Sequence, residues 1–276
     1  MQKNSYKIIA VILSYNCQNE ILKTLEKIQK YQKYFFKICI IDNNSKDNTF
    51  DKVNNYIKKN NLKKFEIISN LKNFGQGGSH KVAFEYSIRN KSDYCLVYHG
   101  DDQANIKDFK KIFKNNLYKN YDAILGARFL NGSKLINYQL YRIFGNKVFN
   151  LLFSIASKYK IYDLGSGINL YGKKIISDNY IKYIDNEMGF NYQNLLLMIT
   201  KGRNLKFFPI SWKSEGEESN VQLFSQSIKV LKIVIFFIIK KNYFKFLKNN
   251  CSYYETPKSK IFSYKGTREI NWKFRL

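Results

Sequence analysis

The sequence predicts an α/β fold with a mostly parallel central sheet flanked by helices. Short apolar runs alternate with helix-like patterns through the first half of the 276-residue chain, which is typical of strands joined by helical crossovers. A polar cluster follows each of the first four apolar runs. Residues 221–276 are basic and apolar. They predict a basic amphipathic helical tail after a first domain over residues 1–220.

Periodicity places the elements of the first half. Apolar runs predict four strands, over residues 7–14, 37–42, 65–69 and 93–99. The first connecting helix carries Ile21, Leu25 and Ile28 at helical spacing. The same spacing predicts helices around residues 50–57, 82–88 and 106–116. One more apolar run predicts a strand over residues 123–126.

The second half predicts longer helices. The first covers residues 137–157, and five apolar residues share one of its faces: Leu140, Phe144, Val148, Leu151 and Ile155. A helix over residues 191–200 and a strand over residues 205–210 follow. Residues 221–247 predict a helix or helix pair in which lysines interrupt aliphatic and aromatic residues. Such a segment suits an anionic membrane surface, and a core-packed helix with solvated lysines is the alternative.

Composition limits the class of protein. The chain is 45% hydrophobic with two prolines, which excludes global disorder and Pro-rich architectures. The 47 basic and 21 acidic residues give a net charge of +26, which indicates nucleic acid, an anionic membrane or an anionic small substrate as partner. The four cysteines form no CxxC pair. Zinc and disulfide frameworks are therefore disfavoured, and a reducing cytoplasm fits.

The sharpest polar cluster is residues 99–103, directly after the fourth strand. Asp101 and Asp102 form a pair of carboxylates there. Oxygen ligands of this kind suit Mg²⁺ or Mn²⁺ carrying a diphosphate. The alternative is an Asp-rich turn that caps the next helix.

Two other clusters suit a nucleotide. Asp42 and Asn43 could hydrogen-bond a nucleobase, or residues 42–48 could cap a helix. The Gly-rich residues 73–78 could admit a phosphate close to the backbone. Lys81 would add positive charge to that site, unless it is one of the many solvated lysines.

Taken in order, these motifs resemble a known family. Residues 11–16, 41–49, 73–78 and 99–103 resemble family-2 glycosyltransferases with the GT-A fold. Residues 126–129, 142–146 and 163–167 are similar to the branch containing dolichol-phosphate mannosyltransferase and bacterial polyprenyl-phosphate glycosyltransferases. The resemblance covers roughly residues 6–220.

The resemblance implies an inverting enzyme that uses a nucleotide-diphosphate sugar and a divalent metal, Mg²⁺ or Mn²⁺. It assigns substrate binding to Tyr15, Asn16, Asp42, Asn43, Asn73, Gly75, Lys81, Asn146 and Ser166. Catalytic roles fall on Asp101, Asp102, Arg128 and Arg142. The metal would be bound by Asp101, Gln103 and His99, where His99 stands in place of the family's first Asp.

The acceptor implied by this branch is a polyprenyl phosphate or a cell-surface glycan precursor. A phosphate acceptor is already ionised and needs no base, whereas a sugar hydroxyl of a polysaccharide or lipopolysaccharide needs a carboxylate. Asp163, Asp185 and Glu187 are the available carboxylates. We therefore expect a cytoplasmic protein at the inner face of the cytoplasmic membrane.

Two rivals belong to other classes. A non-enzymatic nucleic-acid-binding protein would explain the charge, but no nucleic-acid-binding motif is present, so nucleic acid is not expected as a partner. A nucleotidyltransferase would share the α/β fold, but the Gly-rich loop with an Arg after its first strand is missing. His99 also leaves an inactive relative as an alternative.

Overall fold

The computed structural model describes residues 6–214, 220–240, 242–250, 257–263 and 266–272. Its strands are β1 (Ile8–Ser14), β2 (Lys37–Asp42), β3 (Phe65–Asn70), β4 (Tyr94–His99), β5 (Ala123–Ala127), β6 (Lys134–Ile136), β7 (Ile168–Gly172), β8 (Leu205–Pro209), β9 (Ser211–Lys213), β10 (Lys258–Ser263) and β11 (Gly266–Asn271).

The helices follow the same chain order. They are α1 (Ile21–Gln29), α2 (Thr49–Lys59), α3 (Gly75–Arg89), α4 (Lys110–Lys114), α5 (Leu140–Ser157), α6 (Lys173–Ile176), α7 (Gly189–Thr200), α8 (Asn220–Ile239) and α9 (Tyr243–Asn250). Short 3₁₀ turns cover Gln32–Tyr34, Ile106–Phe109, Leu117–Asn120 and Ile181–Tyr183.

One nine-stranded sheet organises the molecule, in the order β11-β10-β3-β2-β1-β4-β7-β5-β8, and β6 pairs with β9 separately. Strands β3, β2, β1 and β4 are parallel neighbours. Strands β7 and β10 run against their neighbours, and the other strands of this sheet share one direction. The predicted α/β fold with a mostly parallel sheet is therefore confirmed.

Both faces of the sheet are buried, as its apolar strands predict. On one face Ile9 and Val11 pack in a core with residues of α3, α5, α7 and α8. On the other face Ile8, Ala10 and Ile12 pack in a core with residues of α1 and α2. Because β1 to β4 are parallel, the loops that follow them meet at one edge of the sheet.

Two elements differ from the sequence prediction. Strand β7 inserts antiparallel between β4 and β5, in a segment to which the sequence analysis assigned no element. Its five residues are a short run whose strand conformation depends on pairing at both sides. The helix predicted over residues 106–116 is instead the 3₁₀ turn Ile106–Phe109 followed by α4.

The tail also differs. Helices α8 and α9 agree with the helix pair predicted for residues 221–247. Strands β10 and β11 extend the central sheet beside β3, so the expectation of a helical tail is wrong there. Ser259 links this hairpin to β3, because its buried Oγ donates to Asn70 Oδ1 at 2.7 Å and accepts from the buried indole Nε1 of Trp272 at 2.8 Å. Residues 241, 251–256, 264–265 and 273–276 of the predicted tail lie outside the described residues.

Within the described segments, no helix combines the length and apolar character needed to cross a membrane.

Candidate active site

A cavity of about 320 Å³ opens at the carboxyl ends of β1, β2 and β4. We call it the edge cavity. It is lined by Leu13, Ser14, Tyr15, Cys17, Asn43, Asn73, Gly75, Gln76, Ser79, His99, Gly100, Asp101 and Glu187. The four polar clusters of the first half therefore each contribute to one concave site.

Asn43 joins two of these clusters. Its Nδ2 donates to Asn73 Oδ1 at 2.7 Å and to the Gly75 carbonyl at 3.2 Å. Its Oδ1 accepts from Asn70 Nδ2 at 2.9 Å and from the Phe74 backbone N–H at 3.0 Å. These four bonds use both donors and both acceptor sites of the amide. The geometry favours a structural role for Asn43 over the predicted contact with a nucleobase, and Asn73 is its partner in this role.

Asp42 has one buried carboxylate oxygen that accepts no hydrogen bond from the described residues. Its Oδ2 accepts from the Ser45 backbone N–H at 3.4 Å, while Oδ1 has no hydrogen-bond partner among the described residues. Burial raises the pKa of this carboxyl group. A buried acceptor without a donor is costly and marks a place where a ligand donor would be stabilised. Asp42 itself lies behind Ser14 and Asn43, which line the cavity.

Asn16 fastens the first loop to the second. Its side-chain Oδ1 accepts from the Lys46 backbone N–H at 2.8 Å, and its own backbone N–H donates to Ser45 Oγ at 3.0 Å. Its φ of 48° is left-handed, a conformation that Asn tolerates better than most residues. The predicted substrate contact of Asn16 is therefore replaced by a loop contact, while Tyr15 stays exposed at the cavity rim.

The glycines before and within α3 admit a protein loop rather than a phosphate. A Cβ at Gly75, whose φ is +73°, would lie 2.3 Å from the Asn186 carbonyl oxygen. A Cβ at Gly77 would lie 2.4 Å from the Asp185 carbonyl oxygen. Residues 185–187 thus pack directly on the start of α3, while Gly75 also lines the edge cavity and its substrate contact stays a prediction. The same packing brings Glu187 into the edge cavity.

Lys81 holds that loop from the buried side. Only 2% of the residue is exposed, and its Nζ donates to the Ile184 carbonyl at 2.5 Å and to Asn186 Oδ1 at 2.7 Å. Lys81 does not line the edge cavity. Its amine is engaged by the loop that positions Glu187, and the role of Lys81 at the donor phosphates stays a prediction.

Asp101 and Asp102 follow β4 directly, but their carboxylates have different surroundings. Asp101 lines the edge cavity, and its Oδ1 accepts from the Gln103 backbone N–H at 3.2 Å. Asp102 adopts a left-handed φ of 57°, which turns its carboxylate onto Lys27 Nζ of α1 at 2.6 Å. Asp102 therefore lies outside the cavity lining in this arrangement, and its catalytic role stays a prediction. Gln103 lies outside the cavity lining as well.

His99 is neutral and already hydrogen-bonded. Burial lowers its pKa, with Asp101 opposing the shift and Arg128 adding to it. Its Nε2 lies 3.2 Å from Gln76 Nε2. With the amide in this orientation Gln76 donates, so the His99 lone pair on Nε2 is occupied. His99 can bind a metal through this atom only if Gln76 turns away.

The donor set limits what kind of metal site is possible. Across the part of the chain that the structure describes, no three His, Cys, Asp or Glu side chains converge as metal ligands. Mg²⁺ and Mn²⁺ often need only one or two carboxylates when substrate phosphates and waters complete the shell. Asp101 supplies one carboxylate in the edge cavity. The residues therefore fit a metal that arrives with a diphosphate.

A second group of predicted residues forms the Arg128 cluster: Arg128, Tyr138, Asp163 and Trp212. Arg128 Nε and Nη2 donate to the two Asp163 oxygens, each at 2.8 Å. The guanidinium lies 5.0 Å from the Trp212 ring centroid. Burial alone would lower the pKa of Arg128, but the charge and hydrogen bonds of Asp163 raise it. The cluster fixes a permanent cation whose charge is largely balanced by Asp163.

Helix α5 connects to this cluster. Tyr138 OH accepts from Arg128 Nη1 at 3.3 Å and from Asn146 Nδ2 at 3.2 Å. Arg142 is half-buried one turn earlier, and its carbonyl accepts from Asn146 Nδ2 at 2.7 Å. Ser166 is buried and donates to the Ile168 carbonyl at 3.2 Å. These predicted residues lie outside the lining of the edge cavity.

The two sites are neighbours through His99. Its backbone N–H donates to the Gly167 carbonyl at 2.8 Å, and a Cβ at Gly167 would lie 3.1 Å from the Trp212 ring and 3.4 Å from His99 Cβ. The Arg128 cluster therefore stands next to the cavity at the end of β4.

Seven lining residues were not among the predicted site residues: Leu13, Ser14, Cys17, Gln76, Ser79, Gly100 and Glu187. Gln76 and Ser79 lie within or beside the Gly-rich segment, so that segment already signalled their position. Glu187 was named only as a possible base. Its place in the cavity depends on long-range packing against α3, for which the sequence carries no spacing signal.

Comparison with known proteins agrees with this architecture. Residues 9–179, more than half of the chain, match the sequence model of the family described as Glycosyl transferase family 2. A dolichyl-phosphate beta-glucosyltransferase of Dictyostelium discoideum is 24% identical over 216 residues, covering 76% of this chain and 64% of that protein. An uncharacterised protein of Methanocaldococcus jannaschii is 24% identical over 242 residues, covering 86% of this chain and 93% of that protein.

Solved structures share the fold. Glucosyl-3-phosphoglycerate synthase from Mycobacterium tuberculosis in complex with uridine diphosphate matches with a TM-score of 0.64 at 9% identity, covering 99% of this chain and 90% of that chain. The same enzyme with Mn²⁺, uridine diphosphate and glucosyl-3-phosphoglycerate matches with a TM-score of 0.63 at 10% identity, covering 86% and 81%. The GT-A architecture is confirmed, and the chain is a glycosyltransferase that belongs to glycosyl transferase family 2.

Proposed function

We propose that the protein is an inverting glycosyltransferase that moves a sugar from a nucleotide-diphosphate sugar to a polyprenyl phosphate. The observation that carries the proposal is the meeting of Asp101 and Tyr15 in one cavity, beside the unpartnered oxygen of Asp42. A solved structure of the same fold is named as a complex with uridine diphosphate and Mn²⁺. The Dictyostelium relative is named for a dolichyl-phosphate reaction.

The donor occupies the edge cavity in this proposal. Asp42 accepts a hydrogen bond from a ring N–H of the base, and exposed Tyr15 covers the base at the rim. Asp101 would hold Mg²⁺ or Mn²⁺, and the bound metal would supply electrostatic stabilisation of the diphosphate. His99 and Gln76 order the cavity wall beside Asp101 through their mutual hydrogen bond.

The acceptor approaches from the side of the Arg128 cluster. An acceptor oxygen attacks the anomeric carbon, the bond from that carbon to the diphosphate oxygen breaks, and the diphosphate leaves with the electron pair. A phosphate acceptor is already ionised at neutral pH, so no protein group has to remove a proton. Arg142 and Asn146 on α5, together with Arg128 beside them, provide polar groups for such an anion.

Glu187 favours a second candidate. Its carboxylate lines the same cavity, so it could serve as general base if the acceptor is a sugar hydroxyl of a polysaccharide or lipopolysaccharide. A nucleic-acid-binding role gains no support, since the family is one of enzymes.

A transfer assay separates the two acceptors. Purified protein is incubated with Mn²⁺ and UDP- or GDP-sugars, and with either a short-chain polyprenyl phosphate or a glycan that bears only hydroxyl groups. We expect product with the lipid phosphate, and retention of transfer in Glu187→Gln. Transfer to the glycan alone, with loss of activity in Glu187→Gln, would favour the hydroxyl acceptor. Absence of donor binding in calorimetry would contradict both.

A further inference from the structure

The inner side of helix α5 carries asparagines beside the buried Phe153. Asn150 is buried, and its Nδ2 donates to the Tyr162 carbonyl at 2.8 Å. Asn146, one turn earlier, bonds Tyr138. The opposite side carries Leu140, Phe144 and Ile155, which are 82%, 72% and 67% exposed. A helix on the surface of a globular protein normally shows the reverse arrangement.

Helix α8 packs against α5 and extends the same surface. Its inner side buries Val230, Ile233 and Val234. Its outer side exposes a further set of apolar residues: Ile228, Leu231, Ile235, Phe236, Ile238 and Ile239. We call the exposed residues of both helices the α5–α8 surface. An exposed apolar area spanning two neighbouring helices marks an interaction site, because scattered apolar residues alone are normal.

The charges around this surface identify what it binds. Lys147 on α5 and Lys229 and Lys232 on α8 are exposed among the apolar residues. Lysine stems can lie along lipid chains while their ammonium groups reach anionic headgroups. A second copy of this chain would carry the same net charge of +26 and the same exposed lysines at the contact. An anionic bilayer neutralises the lysines, whereas a homodimer places like charges together.

We propose that the α5–α8 surface lies in the interface of an anionic bilayer, with α5 as the element nearest to the reaction site. The inner side of α5 reaches Arg128 through Asn146 and Tyr138, so a lipid-borne phosphate at the headgroup level would meet the Arg128 cluster. The membrane contact itself stands on the exposed residues and lysines. Only its use for acceptor delivery rests on the proposed function.

Vesicle flotation of the full chain, without substrate, tests the contact. We compare Phe144→Glu/Leu151→Glu with Phe36→Glu, which replaces an exposed aromatic residue at the amino end of β2. With vesicles containing phosphatidylglycerol, we expect the α5 double variant to bind at least tenfold more weakly, and Phe36→Glu to bind like the wild type. Vesicles of pure phosphatidylcholine should bind the wild type more weakly than the anionic vesicles.

Unchanged flotation of a folded α5 double variant would overturn the proposal. It would also be overturned if the wild type were dimeric by light scattering and the same variant monomeric, with equal vesicle binding. Thermal melting and calorimetric binding of UDP with Mn²⁺ are measured on each variant. Retained nucleotide binding with lost flotation supports the surface, while a failure of nucleotide binding in the wild type concerns the proposed function alone.

Discussion

Helices α3 and α5 both depart from the usual burial of side chains, in opposite directions. Helix α3 buries His80 and Lys81 in the interior, and the Lys81 amine is satisfied by carbonyl and amide oxygens of residues 182–186. Helix α5 exposes a row of large apolar residues and keeps its asparagines inside. The buried amine of Lys81 finds its partners within the chain, whereas the apolar face of α5 needs a partner outside it.

Residues of α3 therefore determine stability, whereas residues on the outer side of α5 determine association. Substitutions on α3 remove contacts that the folded state contains, so they change the free energy of unfolding. Substitutions on the outer side of α5 remove few contacts, so they change association instead.

We expect the largest change in the free energy of unfolding from a substitution on the inner side of α5, compared with one on its outer side. Phe153 is buried and packs near Tyr192, so Phe153→Ala should lower the free energy of unfolding by about 3–5 kcal/mol. Leu151→Ala, on the outer side, should change it by about 0.5 kcal/mol or less. Urea denaturation of both variants measures this. Equal losses would show that the outer side is packed in solution and would end the contrast with α3.

Asp101 should be the residue whose loss most reduces transfer. Asp101→Ala removes the carboxylate of the edge cavity, and we expect kcat to fall by about a hundredfold or more. Asp102→Asn is the matched control, since Asn tolerates the left-handed backbone and only the ion pair with Lys27 is lost. If Asp102→Asn were as inactive as Asp101→Ala, the separation of the two carboxylates would be wrong.

Lys81→Met tests the loop that α3 holds. The Ile184 carbonyl and Asn186 Oδ1 lose their buried donor, so the free energy of unfolding should fall by about 2 kcal/mol. KM for the nucleotide sugar should rise as well, because residues 185–187, which pack on the start of α3 beside the cavity, are no longer held in place. Lys59→Met removes an exposed lysine of α2 and serves as control. A variant with lower stability but an unchanged KM would leave Lys81 a structural residue only.

His80 should make the protein acid-sensitive. Burial and the neighbouring His99 lower its pKa from 6.5 to about 3. Between these values the unfolded chain binds a proton that the folded chain does not, so stability falls as pH falls, by up to about 1.4 kcal/mol per pH unit. His80→Leu should remove this part of the slope in denaturation curves measured from pH 7 to pH 4. An unchanged slope would assign the sensitivity to other groups.

Local patterns were enough for the core of the fold. Strands β1 to β4 are continuous apolar runs, and helices α1 to α3 repeat apolar residues at helical spacing. Parallel strands then require their following loops to share one edge. This is why Tyr15, Asn43, Asn73, His99 and Asp101 were expected together and are found together. Strand β7 and the β10–β11 hairpin were missed because both depend on pairing partners distant in sequence.

The sequence by itself determined the α/β layering, the edge at which the polar loops meet and the excess of positive charge. Tertiary structure alone decided the direction of individual side chains. A left-handed backbone turns Asp102 towards Lys27, close packing at Gly75 and Gly77 brings in Glu187, and buried carbonyls take up Lys81. The physical reason is that periodicity reports which faces of an element are apolar, while the partner of each polar group depends on which distant segments lie next to it.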